Sequence, residues 1–399
     1  MTIGKNFCIA PFTQITLHPA GGYSPCPEIG GRPWKEKEAN AIRMWKSDEF
    51  NTLRTSFKNN QKDSVCNRCW QQEEHGNQSL RQRLFTKKNQ GSISFQSGEI
   101  LPFIDKDYQS GPKQINIMVG NTCNLRCRIC TAGSSVTYNV EGNYYKDRYG
   151  VDNPRYRSLF KKPISFSSSK IEYIFEISSN LQRIEFYGGE PLLDEPTLDL
   201  LQQLITSGRS KNITLFYNTN GTVKPTAKHY ELWNQFRSLE FNFSIDDIDH
   251  RFTYARHPAN WEDLISNINL IRNYKWNIPV QFTSICTVSI LNIYYVPEIL
   301  ERLDNLGLPS FLNNINGPDY YDIQYLPWTI KQAVIEKLKQ FSDVNRIKFL
   351  INTLNNPEDL KHWEDFKFWT RAKDEYRKEN FAQTYPEFYH IINRYDSAF

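Results

Sequence analysis

The amino-acid sequence predicts an α/β protein with a parallel sheet, a small α+β cysteine-rich module before the sheet and a helical region after it. Three observations lead to this fold class. From residue 113 onward, short apolar strands alternate with amphipathic stretches, which is the pattern of βα units with parallel strands. Seven of the eight cysteines fall into two clusters, one ahead of this series and one inside it. After residue 317 only helical patterns remain.

The chain of 399 residues has room for two or three domains. We divide it into a cysteine-rich module over residues 1–88, a linker over 89–112, the βα series over 113–317 and a helical cap over 318–399. The linker is rich in Ser, Gly, Gln and Asp. For the cap, a role as a lid or as a substrate platform is a hypothesis.

Composition limits the partners that we expect. The net charge is only +4 and no lysine- or arginine-rich run stands out, so nothing favours nucleic acid. No apolar stretch approaches the ~20 residues that span a bilayer, and the amino terminus lacks the apolar core of a signal peptide. We therefore expect a soluble, cytoplasmic protein without a membrane partner. The cysteine clusters then indicate metal or iron–sulfur ligands rather than disulfides.

In the first module, residues 8–18 alternate as in a strand, residues 19–22 form a turn and residues 23–26 return as a second strand. A helix is expected from Ser47, because a serine cap followed by acidic residues suits the positive end of a helix. Four cysteines frame these elements: Cys8, Cys26, Cys66 and Cys69. Four thiolates can ligate every iron of a [4Fe–4S] cluster or equally a structural zinc ion, so the spacing leaves both interpretations open.

Six strands are predicted in the βα series. Helices are predicted both in this series and in the cap. The strands lie near residues 114–119, 183–187, 213–218, 239–245, 279–288 and 309–313. The helices lie over residues 171–179, 197–206, 227–237, 262–273 and 296–303, and in the cap over 330–341, 359–377 and 386–395. The first crossover is long. Its stretch Tyr138–Tyr156, rich in tyrosine and asparagine, either contacts a substrate or forms a solvated loop.

The loop after the first of these strands carries Cys123, Cys127 and Cys130 with the spacing C-x3-C-x2-C. Three thiolates on one tight loop can hold three irons of a [4Fe–4S] cluster and leave the fourth iron open to a substrate or cofactor. A zinc site and reduced core thiols are the alternatives. Because zinc needs a fourth ligand and is usually bound by C-x2-C or C-x4-C pairs, the spacing favours a cluster that takes part in chemistry.

Glycine and polar residues end the next three strands. The second strand ends in Phe186–Leu192, where two glycines permit positive φ and let a ligand approach the backbone closely. The third strand ends in Phe216–Gly221, with the sequence Asn-Thr-Asn-Gly, and the fourth in Phe243–Asp247, with Ser-Ile-Asp-Asp. In isolation each segment is an ordinary turn, but here all three follow the cysteine loop in the βα series.

Together these motifs resemble the radical S-adenosylmethionine (SAM) enzymes, whose cluster loop has this spacing after the first barrel strand and whose next strand ends in a similar Gly-Gly-Glu segment. The four-cysteine module is similar to the Twitch and SPASM cluster modules, placed before the barrel as in the N-terminally Twitch-bearing group. The resemblance implies a partial (β/α)6 radical SAM barrel and bound SAM. It also implies two [4Fe–4S] clusters, and so favours iron–sulfur over zinc in the first module.

The resemblance assigns SAM contacts residue by residue. Gly188, Gly189 and Glu190 match the family segment that holds the amino group of SAM. Asn218 or Thr219, at the end of the third strand, would hydrogen-bond SAM, although a turn also explains the Asn-Gly that follows.

Further contacts with SAM are implied by the fourth strand and its surroundings. Ser244 and Asp246, two residues apart and so on one strand face, match positions where polar groups meet the ribose. Arg256 is placed like an arginine that pairs with the methionyl carboxylate, the alternative being an exposed surface arginine. Ile129 precedes the third cysteine, where the family often has an aromatic residue against the adenine, and an aliphatic side chain can also cover a ring face.

The activity implied by the resemblance is reductive cleavage of SAM to methionine and a 5′-deoxyadenosyl radical, which takes hydrogen from a substrate carbon. An electron donor such as flavodoxin or ferredoxin would supply the electron. Oxidation or dehydrogenation follows if the first module accepts an electron from the substrate radical. Epimerisation follows if Cys286 returns a hydrogen atom, the alternative being that Cys286 is a buried small hydrophobe.

We expect a small-molecule substrate such as a sugar derivative, because no segment of the sequence is recognisable as a leader-peptide-binding domain. A maturase that modifies a peptide or protein is the alternative within the same chemistry. From other classes, a zinc-binding structural or interaction protein would leave the Gly-Gly-Glu segment unexplained. A nucleic-acid modifier would want a basic groove that a charge of +4 does not suggest.

Overall fold

The computed structural model describes residues 4–19, 21–29, 33–35, 41–84, 107–157, 163–166, 169–177, 180–315, 317–397 and 399. One eight-stranded sheet with the order β2-β1-β3-β4-β5-β6-β7-β8 organises it. The strands are β1 Gln14–Leu17, β2 Tyr23–Ser24, β3 Gln114–Met118, β4 Arg183–Tyr187, β5 Thr214–Thr219, β6 Ser238–Ser244, β7 Val280–Val288 and β8 Ser310–Asn314. All neighbours are parallel except β1 and β2, so the predicted α/β class and parallel sheet are confirmed.

The six strands predicted for the βα series are present as β3–β8, each with its boundaries shifted by at most one residue. The first module adds two strands to the same sheet. β1 pairs in parallel with β3, from Gln14 opposite Gln114 to Leu17 opposite Ile117. The cysteine-rich module therefore shares its sheet with the barrel, although much of the predicted linker lies outside the described residues.

One predicted strand is partly wrong. Residues Ala10–Thr13 form a short helix, α1, instead of the first half of a strand starting at Cys8. Pro11 lies at the start of this helix, where the missing N–H of proline costs nothing and its fixed φ suits a helical turn. The side chains of α1 are all buried, so the alternating pattern did not separate a buried turn from a strand.

Helices cover the outer side of the sheet and form the C-terminal region. In the first half of the chain they are α2 Ala41–Trp45, α3 Asp48–Lys58, α4 Asn67–Glu74, α5 Leu80–Arg83, α6 Tyr138–Tyr149 and α7 Ser169–Ile177. In the second half they are α8 Glu195–Thr206, α9 Ala227–Trp233, α10 Asp249–Ala255, α11 Trp261–Arg272, α12 Val296–Asn305, α13 Trp328–Lys339, α14 Val344–Leu354, α15 Trp363–Arg377, α16 Phe381–Thr384 and α17 Pro386–Tyr395. No described helix combines the length and the apolar character needed to cross a bilayer.

The tyrosine-rich stretch of the first crossover is part of the core. Tyr138, Tyr145 and Tyr156 are fully buried, and the rings of Tyr145 and Tyr156 pack against Trp369 of α15 with centroids 5.4 and 4.6 Å apart. This stretch is therefore not a solvated loop. It joins the cysteine loop, which precedes it in the chain, to the C-terminal helices.

Candidate active site

The cysteine loop leaves β3 at the carboxyl edge of the sheet, and protein N–H groups approach two of its sulfurs. The Leu125 amide donates to Cys123 Sγ at 3.4 Å, and Asn220 Nδ2 lies 3.8 Å from the same sulfur. Arg256 Nη1 lies 3.7 Å from Cys127 Sγ. Donors around a sulfur stabilise a thiolate, the form in which cysteine binds a metal.

Burial disfavours the thiolate form of the cysteines in this loop. Burial raises the pKa of Cys127 to about 12, although the Arg256 guanidinium opposes the rise. Burial also raises the pKa of Cys123, and the neighbouring Cys127 raises it further. A cationic group that binds here must therefore displace protons, and its own charge compensates for the desolvation.

The Gly-Gly-Glu segment packs directly on the base of the cysteine loop. The Gly189 amide donates to Gly120 O at 2.8 Å, and the Glu190 amide donates to Thr122 O at 2.8 Å. A Cβ atom added to Gly189 would lie 2.2 Å from Thr122 O, and Gly188 has φ +121°. These glycines therefore let two backbone segments meet, which places the loop above the end of β4.

Gly189→Ala should displace the cysteine loop, because the new methyl group meets backbone rather than a flexible side chain. We expect a loss of about 1–3 kcal/mol in the free energy of unfolding and reduced iron loading, measured by urea denaturation and by iron analysis. Gly133→Ala is the matched control, since an added Cβ there meets only Thr131 Oγ1 at 3.4 Å. Equal iron loading in both variants would contradict this account.

Glu190 and Thr219 hold the strand ends together. The buried Glu190 carboxylate accepts hydrogen bonds from Thr219 Oγ1 at 2.7 Å, from the Asn220 amide at 2.8 Å and from the Leu192 amide at 3.1 Å. Burial raises the pKa of Glu190, and these hydrogen bonds oppose the rise. The side chains of Glu190 and Thr219 bond to each other, so their predicted contacts with SAM stay predictions.

Asn220 is a site residue that the sequence analysis missed. The segment Asn-Thr-Asn-Gly drew attention to Asn218 and Thr219, whereas the side chain that faces Cys123 belongs to the next residue. Its Nδ2 also donates to Asn124 Oδ1 at 2.9 Å. Asn218 instead lines the cavity on the inner face of the sheet and accepts a hydrogen bond from Asn242 at 2.9 Å. The Asn-Gly dipeptide was the available signal, and we interpreted it as a turn.

Arg256 and Asp246 form a buried ion pair next to Cys127, with Arg256 Nη2 and Asp246 Oδ2 2.8 Å apart. The Thr287 amide donates to Asp246 Oδ1 at 2.9 Å and fixes the carboxylate. Arg256 is therefore not a surface arginine. Its Nε is buried and, within the described part of the chain, has no hydrogen-bond partner. An unpaired guanidinium N–H beside the cysteine loop is a binding group for an anion.

The remaining residues predicted to contact SAM differ in their surroundings. Ser244 lines the cavity on the inner face of the sheet, whereas the Asp246 carboxylate is turned towards Arg256. Ile129 is half-buried and packs against the main apolar core. The proposed contacts of these residues with ribose and adenine stay predictions.

Cys286 lies on β7 with its side chain fully buried. Its Sγ is 3.7 Å from Asp246 O and from Asn292 Nδ2. The residues on either side of it, Ile285 and Thr287, line the cavity, and successive side chains of a strand point to opposite faces. Cys286 therefore points away from the cavity. This position is that of a small core residue and does not favour the hydrogen-donor role.

The inner face of the sheet encloses a cavity of about 370 Å³. Part of its wall is a buried charge network, in which Arg183 forms ion pairs with Glu185 at 2.5 Å and with Glu240 at 3.1 Å. Amide and hydroxyl side chains line about half of the remaining wall: Gln14, Gln114, Asn218, Asn242, Ser244, Gln281, Thr283, Thr287 and Asn313. Apolar side chains such as Met118, Phe216 and Phe311 line much of the rest, and Glu28 and Leu80 of the first module border the cavity. The cavity therefore offers both polar and apolar contacts to a ligand.

The structure brings the four cysteines of the first module together, so that Cys8, Cys26, Cys66 and Cys69 line one small buried cavity. Cys8 precedes β1 and Cys26 follows the antiparallel β2, which places this site at the amino edge of the sheet, opposite the cysteine loop. The cavity shares Glu28 and Leu80 with the cavity inside the sheet. The four-cysteine site therefore adjoins the cavity inside the sheet, which we call the chamber, whereas none of the three loop cysteines lines it.

The cysteine geometry bears on the zinc alternative. In tetrahedral zinc sites the Zn–S bonds of about 2.3 Å bring the sulfurs to within about 4 Å of one another. Among the described residues, no group of three or more His, Cys, Asp or Glu side chains has the arrangement that holds a single metal ion. Thiolates of a [4Fe–4S] cluster bind separate irons and need no such approach. The preference for a cluster over zinc stays a prediction at both sites.

Comparison with known proteins gives one family match. Residues 117–288 match the model described as the Radical SAM superfamily. Two uncharacterized proteins of Methanocaldococcus jannaschii are 25% and 24% identical over 217 and 204 residues, which are 52% and 49% of this chain. The matches cover 64% and 42% of those relatives, so this chain spans less than two thirds of either.

Solved structures with a similar fold include native anSMEcpe with bound AdoMet, with a TM-score of 0.43 and 17% identity over 61% of this chain and 63% of that chain. Another is Streptococcus suis SuiB bound to S-adenosylmethionine, with a TM-score of 0.37 and 11% identity over 97% of this chain and 75% of that one. Scores this low support no argument about function.

Proposed function

Because residues 117–288 match the Radical SAM superfamily model, we propose that the chain reductively cleaves SAM and uses the resulting radical to oxidise or dehydrogenate a small polar molecule, such as a sugar derivative. The observation that carries the proposal is the position of Arg256, whose Nη1 lies 3.7 Å from Cys127 Sγ on the loop that presents three thiols and whose buried Nε has no hydrogen-bond partner among the described residues. That combination offers metal ligands and an anion-binding group at one place.

The residues present fit the cofactors that the family implies. Cys123, Cys127 and Cys130 would hold a [4Fe–4S] cluster with one open iron. With SAM bound, this cluster supplies one electron that cleaves SAM to methionine and a 5′-deoxyadenosyl radical. Arg256, held by Asp246, would bind the methionyl carboxylate of SAM through its free N–H. A one-electron donor such as flavodoxin or ferredoxin belongs to the proposal.

The chamber inside the sheet supports a small substrate. Its volume of about 370 Å³ lies near the lower end of the range for small-molecule pockets. Its amide and hydroxyl groups can orient a polyhydroxylated molecule. Glu185 and Glu240 pair with Arg183 in the chamber wall, so this part of the wall is not a site for a strongly anionic group.

The positions of the four-cysteine site and of Cys286 favour oxidation over epimerisation. The four-cysteine site shares a wall with the chamber, so a cluster there could accept an electron from a substrate radical. Cys286, the candidate hydrogen donor for epimerisation, points away from the chamber. A cluster with four protein ligands has no open iron and suits electron transfer.

The test is the iron and zinc content of anaerobically prepared protein, with electron paramagnetic resonance (EPR) spectra of the dithionite-reduced protein with and without SAM. We expect about eight irons per chain and an EPR signal that changes when SAM is added. About four irons with a SAM-sensitive signal would reduce the first module to a structural site. Zinc without iron would overturn the proposed function.

A further inference from the structure

Helix α15 of the C-terminal region is attached to the cysteine loop on both sides of Cys127. Lys373 Nζ donates to Arg128 O at 2.6 Å, and Arg377 Nη2 donates to Arg126 O at 2.7 Å. The side chains of Lys373 and Arg377 are almost completely buried. The backbone that carries the middle cysteine is therefore held by two cations from a helix about 245 residues further along the chain.

Charged side chains along this interface pair off, with one exception. Glu141 of α6 pairs with Arg377 at 2.9 Å and with Arg126 at 3.0 Å. Arg128 pairs with Asp374 and with Glu379. Three arginines thus face three carboxylates. Lys373 is the remaining cation of the interface.

The Lys373 ammonium has only neutral partners at close range. Besides Arg128 O, it lies 4.9 Å from the ring centre of Tyr156 and 5.1 Å from that of Tyr321. No carboxylate in the described part of the chain lies within salt-bridge distance of it. Burial lowers its pKa well below the usual value, helped by the nearby arginines. A buried cation without an anion is costly, so an anion that arrives beside Lys373 would stabilise its ammonium.

The thiolates of the cysteine loop can supply that anion. Lys373 is bonded to the carbonyl of Arg128, which lies between Cys127 and Cys130 in the loop. Three thiolates around an iron–sulfur cluster give the assembly negative charge, and this charge increases by one on reduction.

We propose that Lys373 is the charge-compensating residue of the SAM-binding cluster. Its ammonium offsets the charge of the thiolate-ligated cluster and favours the reduced form, which must exist before SAM is cleaved. This inference rests on the proposed function, because it needs a cluster on Cys123, Cys127 and Cys130. It gives the C-terminal region a role in setting the reduction potential, in place of the role as a lid or substrate platform.

The test replaces Lys373 by glutamine, which keeps an N–H donor for Arg128 O and removes the charge. Full-length protein is reconstituted anaerobically, and the EPR signal that responds to SAM is titrated against potential. We expect the ratio of reduced to oxidised cluster at a fixed potential to fall about tenfold, which is about 59 mV for a one-electron couple. A fall of threefold or more supports the proposal, and a smaller change overturns it.

Lys331→Gln is the matched control. Lys331 is another fully buried lysine of the C-terminal helices, and its Nζ likewise bonds only carbonyls, Asn356 O at 3.2 Å and Pro357 O at 3.3 Å. Its replacement should leave the ratio unchanged. If Lys373→Gln does not fold, Lys373→Met is titrated in its place.

The melting temperature of the metal-free protein separates charge compensation from a purely structural role. Without the cluster, the Lys373 charge is uncompensated, so Lys373→Gln should melt at the same temperature as the wild type or higher. A lower melting temperature with an unchanged reduction ratio would show a structural lysine and overturn the proposal. Wild-type protein that takes up no iron would instead overturn the proposed function.

Discussion

Cys127→Ala should abolish SAM cleavage and leave the cysteine loop without its cluster. Cys127 is the middle ligand and the one whose sulfur faces Arg256. With only two thiolates the loop cannot hold three irons, so the iron content should fall from about eight to about four per chain. The measurements are iron analysis and 5′-deoxyadenosine formation under dithionite, followed by chromatography. We expect 5′-deoxyadenosine to fall to the level of a sample without protein.

Two other cysteine variants serve as controls. Cys69→Ala should spare SAM cleavage but impair turnover of the true substrate, because it removes a proposed ligand of the four-cysteine site and leaves the three-cysteine loop intact. Cys286→Ala should retain both cleavage and iron, since this cysteine points into the core. If Cys127→Ala still forms 5′-deoxyadenosine at the wild-type rate, the assignment of the site is wrong.

Arg377→Met should be the most destabilising single change outside the cysteine loop. Arg377 and Glu141 form an ion pair in which both side chains are 0% exposed. Removing one partner leaves a buried charge, which usually costs about 3–5 kcal/mol. We expect about 3 kcal/mol, because Arg126 still faces Glu141. Urea denaturation of the metal-free protein measures the loss as a lower midpoint at an unchanged slope.

An exposed pair in the same region provides the comparison. Arg148 and Glu375 form an ion pair 3.0 Å long between α6 and α15, but their side chains are 58% and 45% exposed. Arg148→Met should therefore change the midpoint very little. Glu141→Gln combined with Arg377→Met should cost less than the sum of the two single changes. Equal losses in Arg377→Met and Arg148→Met would contradict the importance of burial.

The parallel strands could be predicted because each is a short apolar run between polar turns, and this pattern is local. The pairing of β1 with β3 could not, since it joins residues 100 positions apart and no local pattern specifies it. The contacts of Arg377 and Lys373 with the cysteine loop likewise join residues that are distant in the sequence, so they could not be predicted either. Sequence shows the amphipathic face of α15 but not which loop that face will meet.

At the first module, the meeting of the four cysteines could be predicted because cysteine spacing is itself a signal of a shared site. The direction of individual polar side chains could not be predicted. A shift of one residue moves a strand side chain to the other face, and Cys286 and Asn220 both differ from the expected direction by such a step. The roles of the two glycines were visible as a need for close approach, but their partner, Thr122 O, was not.

The pairing of β1 with β3 has a consequence for the evolution and engineering of the chain. A strand at the border of a sheet presents unpaired N–H and C=O groups that invite another chain to pair with it. β1 covers that border of the barrel, and the two-residue β2 leaves little room for further growth. A truncated chain without the first module would uncover β3 and become prone to self-association. The module thus protects the sheet edge at β3 and cannot be removed without exposing it.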